Sequence, residues 1–158
     1  MVFSKQFTLF YDSIYSSGLD PKARFPINRY EKLYKTLKDL DTGREIAWRR
    51  PNLATKEDIE LVHCQDYVER FLNNDLREQE IRRIGLRPWK NEIVERTLRL
   101  VGGSLAALDL ALSGHLISGN MAGGTHHAFK NQGAGYCIFN DLAICARKAL
   151  LSSKIRRV

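Results

Sequence analysis

The sequence predicts an α/β fold, and three observations carry this prediction. Residues 7–11 form a short apolar and aromatic run that is typical of a buried strand. Residues 91–113 carry apolar side chains at helical spacing, and residues 116–151 follow the order strand, glycine-rich turn, helix. That order recurs in α/β folds, where ligands bind beyond the carboxyl ends of parallel strands.

The segment after the first strand predicts an extended loop and then a helix. Pro21 and Pro26 favour the loop, because a residue that precedes proline avoids the helical region. From residue 29 to residue 40 the apolar side chains recur three and four residues apart, as in an amphipathic helix. They are Tyr30, Leu33, Tyr34, Leu37 and Leu40.

Two further helices are predicted before the middle of the chain. Thr55 begins a capping-box pattern for a helix that runs to residue 62, and residues 65–72 form the next helical stretch. His63 lies between them, where a core or capping histidine is far commoner than a functional one. Residues 73–87 are polar and charged and predict a loop, beside which Trp89 either lines a site or packs.

The longest helix is predicted over residues 91–113. Six apolar residues step by four and three along it and predict one buried face: Val94, Leu98, Val101, Leu105, Leu108 and Leu112. Gly102 and Gly103 lower helix stability, so their presence indicates close packing against a neighbouring element. A strand over residues 116–122 and a helix over residues 141–151, capped by Asn140, complete the pattern.

Composition excludes several classes of protein. The chain has 158 residues and a net charge of +7, but its basic residues are spread from end to end without interleaved aromatic residues, so we expect no nucleic-acid partner. Its three cysteines form no Cys-x-x-Cys pair or disulfide framework, which favours a reducing cytoplasm. No run of about 18 apolar residues occurs, so we expect no membrane partner.

The unusual residues of the chain are concentrated in two neighbouring segments. Residues 121–129 place His126 and His127 directly behind a glycine pair, and residues 133–141 add a second glycine-spaced turn. The unperturbed pKa of a histidine side chain lies near neutrality, so a neighbouring pair can divide proton transfer between a base and a charged partner. A tight turn with two solvated histidines is the alternative reading of the first segment alone.

Together the two segments resemble the histone deacetylase superfamily, the zinc-dependent acetyl-lysine and acetylpolyamine amidohydrolases. The resemblance extends back through Phe25 and Pro26, His63 with Tyr67 downstream, and the glycine pair at 102–103. It implies the three-layer arginase/deacetylase-type fold, with a central, mainly parallel sheet flanked by helices. It also implies that residues 1–158 are the N-terminal portion of a single catalytic domain that is about twice as long.

The resemblance also implies roles for particular residues. His126 and His127 would be the catalytic pair, with His127 the general base and His126 the electrostatic or acid partner. Gly135 would offer its carbonyl to the substrate amide, and Tyr136 would line the channel around the acylated amine. Cys137 would lie behind the site as structure. The implied substrate is acetyl-lysine or a related acetylated amine.

Zinc is the cofactor of the complete family domain, but its implied ligands do not occur in this sequence. They belong to an Asp-x-Asp-x-His segment and a later Asp that residues 1–158 lack, so we expect this chain alone to hold no zinc and to be inactive. The chain would then be a truncated reading frame, a fragment, or one part of a split enzyme with a separate C-terminal half. A non-catalytic binding module that uses the same pocket or surface is the alternative.

Overall fold

A computed structural model describes residues 7–43, 45–114, 117–153 and 155–158. Within them, strands β1 (Phe7–Phe10), β2 (Ile46–Arg49) and β3 (Ser118–Asn120) form one sheet in the order β2-β1-β3. Both pairings are parallel, with Phe7 opposite Ile46 and Thr8 opposite Ser118. Helices flank this sheet, so the predicted α/β architecture with a parallel sheet is confirmed.

Six α-helices accompany the sheet in the described part of the chain: α1 (Arg29–Leu40), α2 (Lys56–Glu60), α3 (Gln65–Leu72), α4 (Glu78–Ile84), α5 (Glu92–Leu112) and α6 (Asp141–Leu151). The predicted bounds of α1, α3 and α6 agree with the structure, and Thr55 caps α2 through the expected capping box. Among the described helices, none has the length and apolar character needed to cross a membrane.

One predicted loop contains a helix, and one strand was not predicted. Residues 73–87 contain α4, at whose start the Glu80 carboxylate accepts the amide of Arg77 at 3.0 Å. The buried residue of this helix is Ile84. Strand β2 was missed because it has only four residues, is half-buried without alternation, and pairs on one side only. The predicted strand at 116–122 is shorter, and its first residue lies outside the described residues.

Helix α5 is the central packing element, because it contacts β1, β3 and α6. The predicted apolar stripe is only partly correct: Val101 and Leu105 are buried, while Val94 and Leu98 are half-buried. The buried face is rotated toward Ile93 and contains polar residues of the same helix. The full buried set of α5 is Ile93, Arg96, Thr97, Leu100, Val101, Gly102, Gly103, Leu105 and Ala107.

The glycine pair in α5 permits close approach on both sides of the helix, as predicted. A Cβ atom on Gly102 would lie 2.0 Å from the carbonyl oxygen of Asn52, and one on Gly103 would lie 2.6 Å from the side-chain amide of Asn120. The first contact seats α5 on the loop after β2, and the second seats it on the end of β3. This packing fixes the end of β3, from which the histidine segment continues.

Candidate functional site

The histidine segment begins at the carboxyl end of the central sheet. Strand β3 ends at Asn120, and the amide of Met121 still donates to the carbonyl of Phe10 at 2.9 Å. The chain then turns through Gly123 and Gly124. His126 and His127 therefore lie where the sheet pattern predicts a ligand site.

Asp141 holds the glycine-rich turn in place. Its carboxylate accepts hydrogen bonds from the amides of Gly124 (3.2 Å) and Thr125 (2.8 Å) and from the hydroxyls of Thr125 (2.7 Å) and Ser104 (2.6 Å). The side chain is fully buried, and it is the first residue of α6. A buried carboxylate with four donors is well satisfied, so it can fix the turn firmly.

Asn120 adds a second, partly buried polar network beside the turn. Its Oδ1 accepts from the hydroxyl of Tyr15 at 3.0 Å, and its Nδ2 donates to the carbonyl of Leu100 at 2.9 Å and to Ser104 Oγ at 3.2 Å. Ser104 thus connects this network to that of Asp141. The turn is tied to β3, α5 and α6 together.

The two histidines present their rings side by side. The ring centroids of His126 and His127 are 4.1 Å apart with an interplanar angle of 46°, and both side chains are exposed. Nδ1 of His126 lies 2.8 Å from the carbonyl oxygen of Gly124, which suits an Nδ1–H tautomer and leaves Nε2 free to accept. Because both side chains are exposed, both rings are accessible to a ligand.

The second turn closes over His127. Gly135 and Tyr136 both have positive φ, 53° and 68°, and a Cβ on Gly135 would lie 3.2 Å from the ring of His127. Only glycine fits that approach without displacing the ring. Tyr136 keeps its unfavourable backbone geometry because its amide donates to the carbonyl of Ile84 at 2.7 Å, at the end of α4.

One cavity brings the predicted site residues together. It has a volume of about 350 Å³ and is lined by Phe25, Pro26, Arg29, Tyr30, Arg96, Leu100, Gly123, Gly124, Thr125, His126, His127, Gly135, Tyr136 and Cys137. The rings of Phe25 and Tyr136 are 5.3 Å apart and form its aromatic wall. Phe25 and Pro26 therefore do more than stiffen their loop, since both border the same space as the histidines.

His63 lies behind the site and not in it, as predicted. Its ring is 2% exposed, and Nε2 accepts the amide of Asn140 at 2.9 Å. Burial lowers its pKa from the ordinary value, partly offset by the backbone of Lys130 and Phe129. Tyr67, one helical turn later, donates to the carbonyl of Ile138 at 2.9 Å, so the start of α3 anchors the whole second turn.

Two other predicted neighbours are structural in position. Cys137 is buried beneath Gly135, whose carbonyl its thiol contacts at 3.5 Å, and burial raises the thiol pKa. Trp89 packs edge-on against Phe71 at 6.2 Å and donates to Asn74. Cys137 lines the histidine cavity, whereas Trp89 does not.

The residues present do not fit the zinc site that the resemblance implies. Within the described ranges, no group of three or more His, Cys, Asp or Glu side chains is arranged to hold a metal ion. The nearest carboxylate to the turn, that of Asp141, is already occupied by four donors. A catalytic zinc needs about three protein ligands, so no step of the chemistry is assigned to zinc here.

Sequence reasoning missed Asp141 and Arg96. Asp141 follows the predicted cap Asn140 and looks like an ordinary acidic residue in the first turn of a helix. Arg96 lies on the buried face of α5, which the apolar spacing placed elsewhere. The sequence carries one sign of their importance. Each is a polar residue on a helix face that its apolar neighbours mark as buried.

Comparison with known proteins agrees with this geometry. The histone deacetylase domain family matches residues 23–158. An uncharacterized protein of Picosynechococcus is 39% identical over 141 residues, which cover 89% of this chain and 46% of that protein. The acetoin utilization protein AcuC of Bacillus subtilis is 33% identical over 120 residues, covering 71% of this chain and 30% of AcuC.

AcuC of Staphylococcus aureus is 35% identical over 106 residues, covering 62% of this chain and 27% of that protein. The chain thus spans less than half the length of these curated relatives. The family match nevertheless covers most of the chain, including both turns of the cavity. The chain belongs to the histone deacetylase family.

Proposed function

We propose that this chain is the histidine-bearing, N-terminal portion of an amidohydrolase domain that removes the acyl group from acetyl-lysine or a related acylated amine. The observation that carries the proposal is the single cavity shared by His126, His127, Gly135 and Tyr136. Family membership supports the reaction class.

The proposed roles follow from the positions of the groups. Amide hydrolysis needs a base to take a proton from the attacking water and an acid to protonate the leaving amine. His127, which lies under Gly135, is the proposed base, and His126 is the electrostatic or acid partner. The Gly135 carbonyl would accept the substrate N–H, and Tyr136 with Phe25 would enclose the stem of the amine.

We further propose that residues 1–158 alone neither bind stoichiometric zinc nor hydrolyse an acetyl-lysine peptide. General acid–base catalysis supplies about 10² to 10⁴, whereas enzymes reach accelerations of about 10⁶ or more. The base and part of the channel are present here. Stabilisation of the developing oxyanion would need groups beyond the described donors.

A chimera tests this proposal. Residues 1–158 are fused to the part of the Picosynechococcus relative that follows its matched region, and hydrolysis of an acetyl-lysine peptide is followed by release of acetate. We expect turnover in the chimera and none in residues 1–158. The substitution His127→Ala should reduce kcat of the chimera by about 10² or more.

The matched control is His63→Gln, which changes a histidine outside the cavity and keeps an acceptor for Asn140. It should retain most of the turnover. Zinc-dependent hydrolysis by residues 1–158 alone, lost in His127→Ala, would show that this chain is sufficient. A chimera that folds and binds zinc but never turns over would favour a non-catalytic binding module.

We also propose a cytoplasmic location for the protein. The cysteines of the chain are free thiols, and desolvation of the half-buried Cys145 raises its pKa to about 12. Such thiols are typical of a reducing compartment. Fractionation of cells that express a tagged chain would test the location.

A further inference from the structure

Arg96 is a buried cation whose hydrogen-bonding capacity is not filled. Its side chain is 4% exposed, and its Nε donates to the carbonyl of Tyr15 at 3.2 Å. Its Nη2 has no acceptor among the described residues. A buried guanidinium with a free N–H is costly, so such a group normally meets an anion.

Arg96 has no carboxylate partner in the described part of the chain. No ion pair there involves Arg96 or its neighbour Arg29. Burial lowers the pKa of Arg96, and the proximity of Arg29 lowers it further, while Tyr15 and Tyr30, the latter also through a side-chain hydrogen bond, raise it. Because an arginine stays protonated in proteins, the two guanidiniums leave this region positively charged.

The charge of Arg96 faces the same space as the catalytic histidines. Arg96 lines the cavity that His126 and His127 border, and no Asp or Glu lines it. Phe25 and Leu100 add apolar side chains to the same lining. The cavity thus combines apolar residues, a basic residue and the histidine pair.

The cavity has room for more than an acetyl group. Its volume of about 350 Å³ corresponds to roughly ten water-sized groups at about 30 Å³ each. An acetyl group would fill a small part of it and would leave Arg96 without an anion. A longer acyl chain that ends in a negative charge would fill more of the cavity, and its charge would pair with the guanidinium of Arg96.

The Phe25 ring compensates Arg96 only in part. The guanidinium carbon of Arg96 lies 5.7 Å from the ring centroid, and that of Arg29 lies 4.9 Å from the same ring. One ring therefore serves two cations. A cation–π contact attracts the charge but accepts no N–H in the plane of the guanidinium, so the free Nη2 still lacks an acceptor.

We propose that the cavity selects acyl groups that end in a carboxylate, of the succinyl or glutaryl type, with the carboxylate paired to Arg96. This inference rests on the proposed function and names its substrate class. In hydrolysis, water adds across the amide C–N bond, the hydroxyl stays on the acyl carbon and the proton goes to the nitrogen. The products are the free amine and a dicarboxylate.

Binding to the chain itself tests the inference without any turnover. Two fluorescent peptides differ only in Nε-succinyl-lysine or Nε-butyryl-lysine, which have acyl chains of equal carbon number, and their Kd values are measured by anisotropy at fixed salt. We expect residues 1–158 to bind the succinyl peptide about tenfold more tightly, the order expected for a hydrogen bond to a charged group.

Matched variants separate charge pairing from folding. Arg96→Met removes the charge at similar length and should abolish the preference for succinyl, while Arg96→Lys should keep part of it. Arg87→Met removes an exposed arginine outside the cavity and should leave the preference unchanged. Equal Kd values for both peptides in the unsubstituted chain would overturn the inference, as would equal weakening of both by Arg96→Met.

The chimera distinguishes failure of this inference from failure of the proposed function. If it hydrolyses acetyl-lysine and butyryl-lysine peptides but not the succinyl peptide, the reaction class stands and the substrate class is wrong. If it hydrolyses none while the succinyl preference in binding persists and depends on Arg96, the anion site stands and the proposed catalysis is wrong.

Discussion

At the scale of single residues, the fold opposes the protonation of His63. Its Nε2 accepts the amide of Asn140, and desolvation lowers the pKa of the ring from its ordinary value of 6.5. A group whose pKa is lower in the folded state gains protons on unfolding. The neutral His63 ring therefore contributes fully to stability above pH 6.5, and this contribution is lost as the pH falls toward the pKa of the folded state.

We predict that the free energy of unfolding falls as the pH is lowered from 7.5 to 5, and that His63→Gln flattens this dependence. The Gln side chain can still accept from Asn140 but does not titrate. Urea denaturation at each pH measures the effect. His126→Gln is the control, since it removes an exposed histidine and should leave the slope. Equal slopes in the chain and His63→Gln would contradict the prediction.

At the scale of elements, α5 lies in close contact with the loop after β2. A Cβ on Gly102 would overlap the carbonyl oxygen of Asn52, and that loop also donates from the Ala54 amide to the Leu98 carbonyl at 3.0 Å. Neither backbone segment can give way without breaking a hydrogen bond. Gly102 therefore sets the distance between the helix and the sheet.

We predict that Gly102→Ala lowers the free energy of unfolding by about 2 kcal/mol, because overpacking a rigid contact this close costs about 3 kcal/mol. This outweighs the gain of roughly 1 kcal/mol that alanine gives in a helix. Urea denaturation measures it. Gly43→Ala is the control, since its added Cβ would meet Glu45 at 3.5 Å, an ordinary contact. Equal stability of the two variants would show that the loop yields.

The sequence predicted those elements whose signals are local. Apolar spacing and caps were enough for α1, α3 and α6, and the glycine pair indicated close packing. Short elements without such signals, α4 and β2, were missed because their formation depends on contacts far along the chain. For the same reason neither Asp141 nor Arg96 was recognised, since their partners are supplied by other elements.

At the scale of the whole molecule, the sheet has two edges, β2 and β3, with which no further described strand pairs. Strand β3 pairs with β1 on one side only, and a groove of about 540 Å³ runs beside it. Leu33 and Leu142 border the groove and are 50% and 52% exposed. An open strand edge beside apolar side chains favours association with another chain.

We predict that residues 1–158 associate increasingly with concentration and unfold over a broad temperature range. Light scattering and calorimetry would measure this. Leu142→Asp should reduce the association, because it removes apolar surface worth about 25 cal/mol per Å². Leu40→Asp, at a residue that is 71% exposed but outside the groove, should not. Sharp, cooperative unfolding of a soluble monomer would contradict the prediction.

Asp141 has a mechanical consequence that extends beyond its hydrogen bonds. It is both the first residue of α6 and the acceptor for the turn that carries the histidines. Asp141 therefore connects the N-terminus of α6 directly to Gly124 and Thr125, the two residues that precede His126. A substitution that shifts the start of α6 is expected to shift this turn, and with it the position of the two rings.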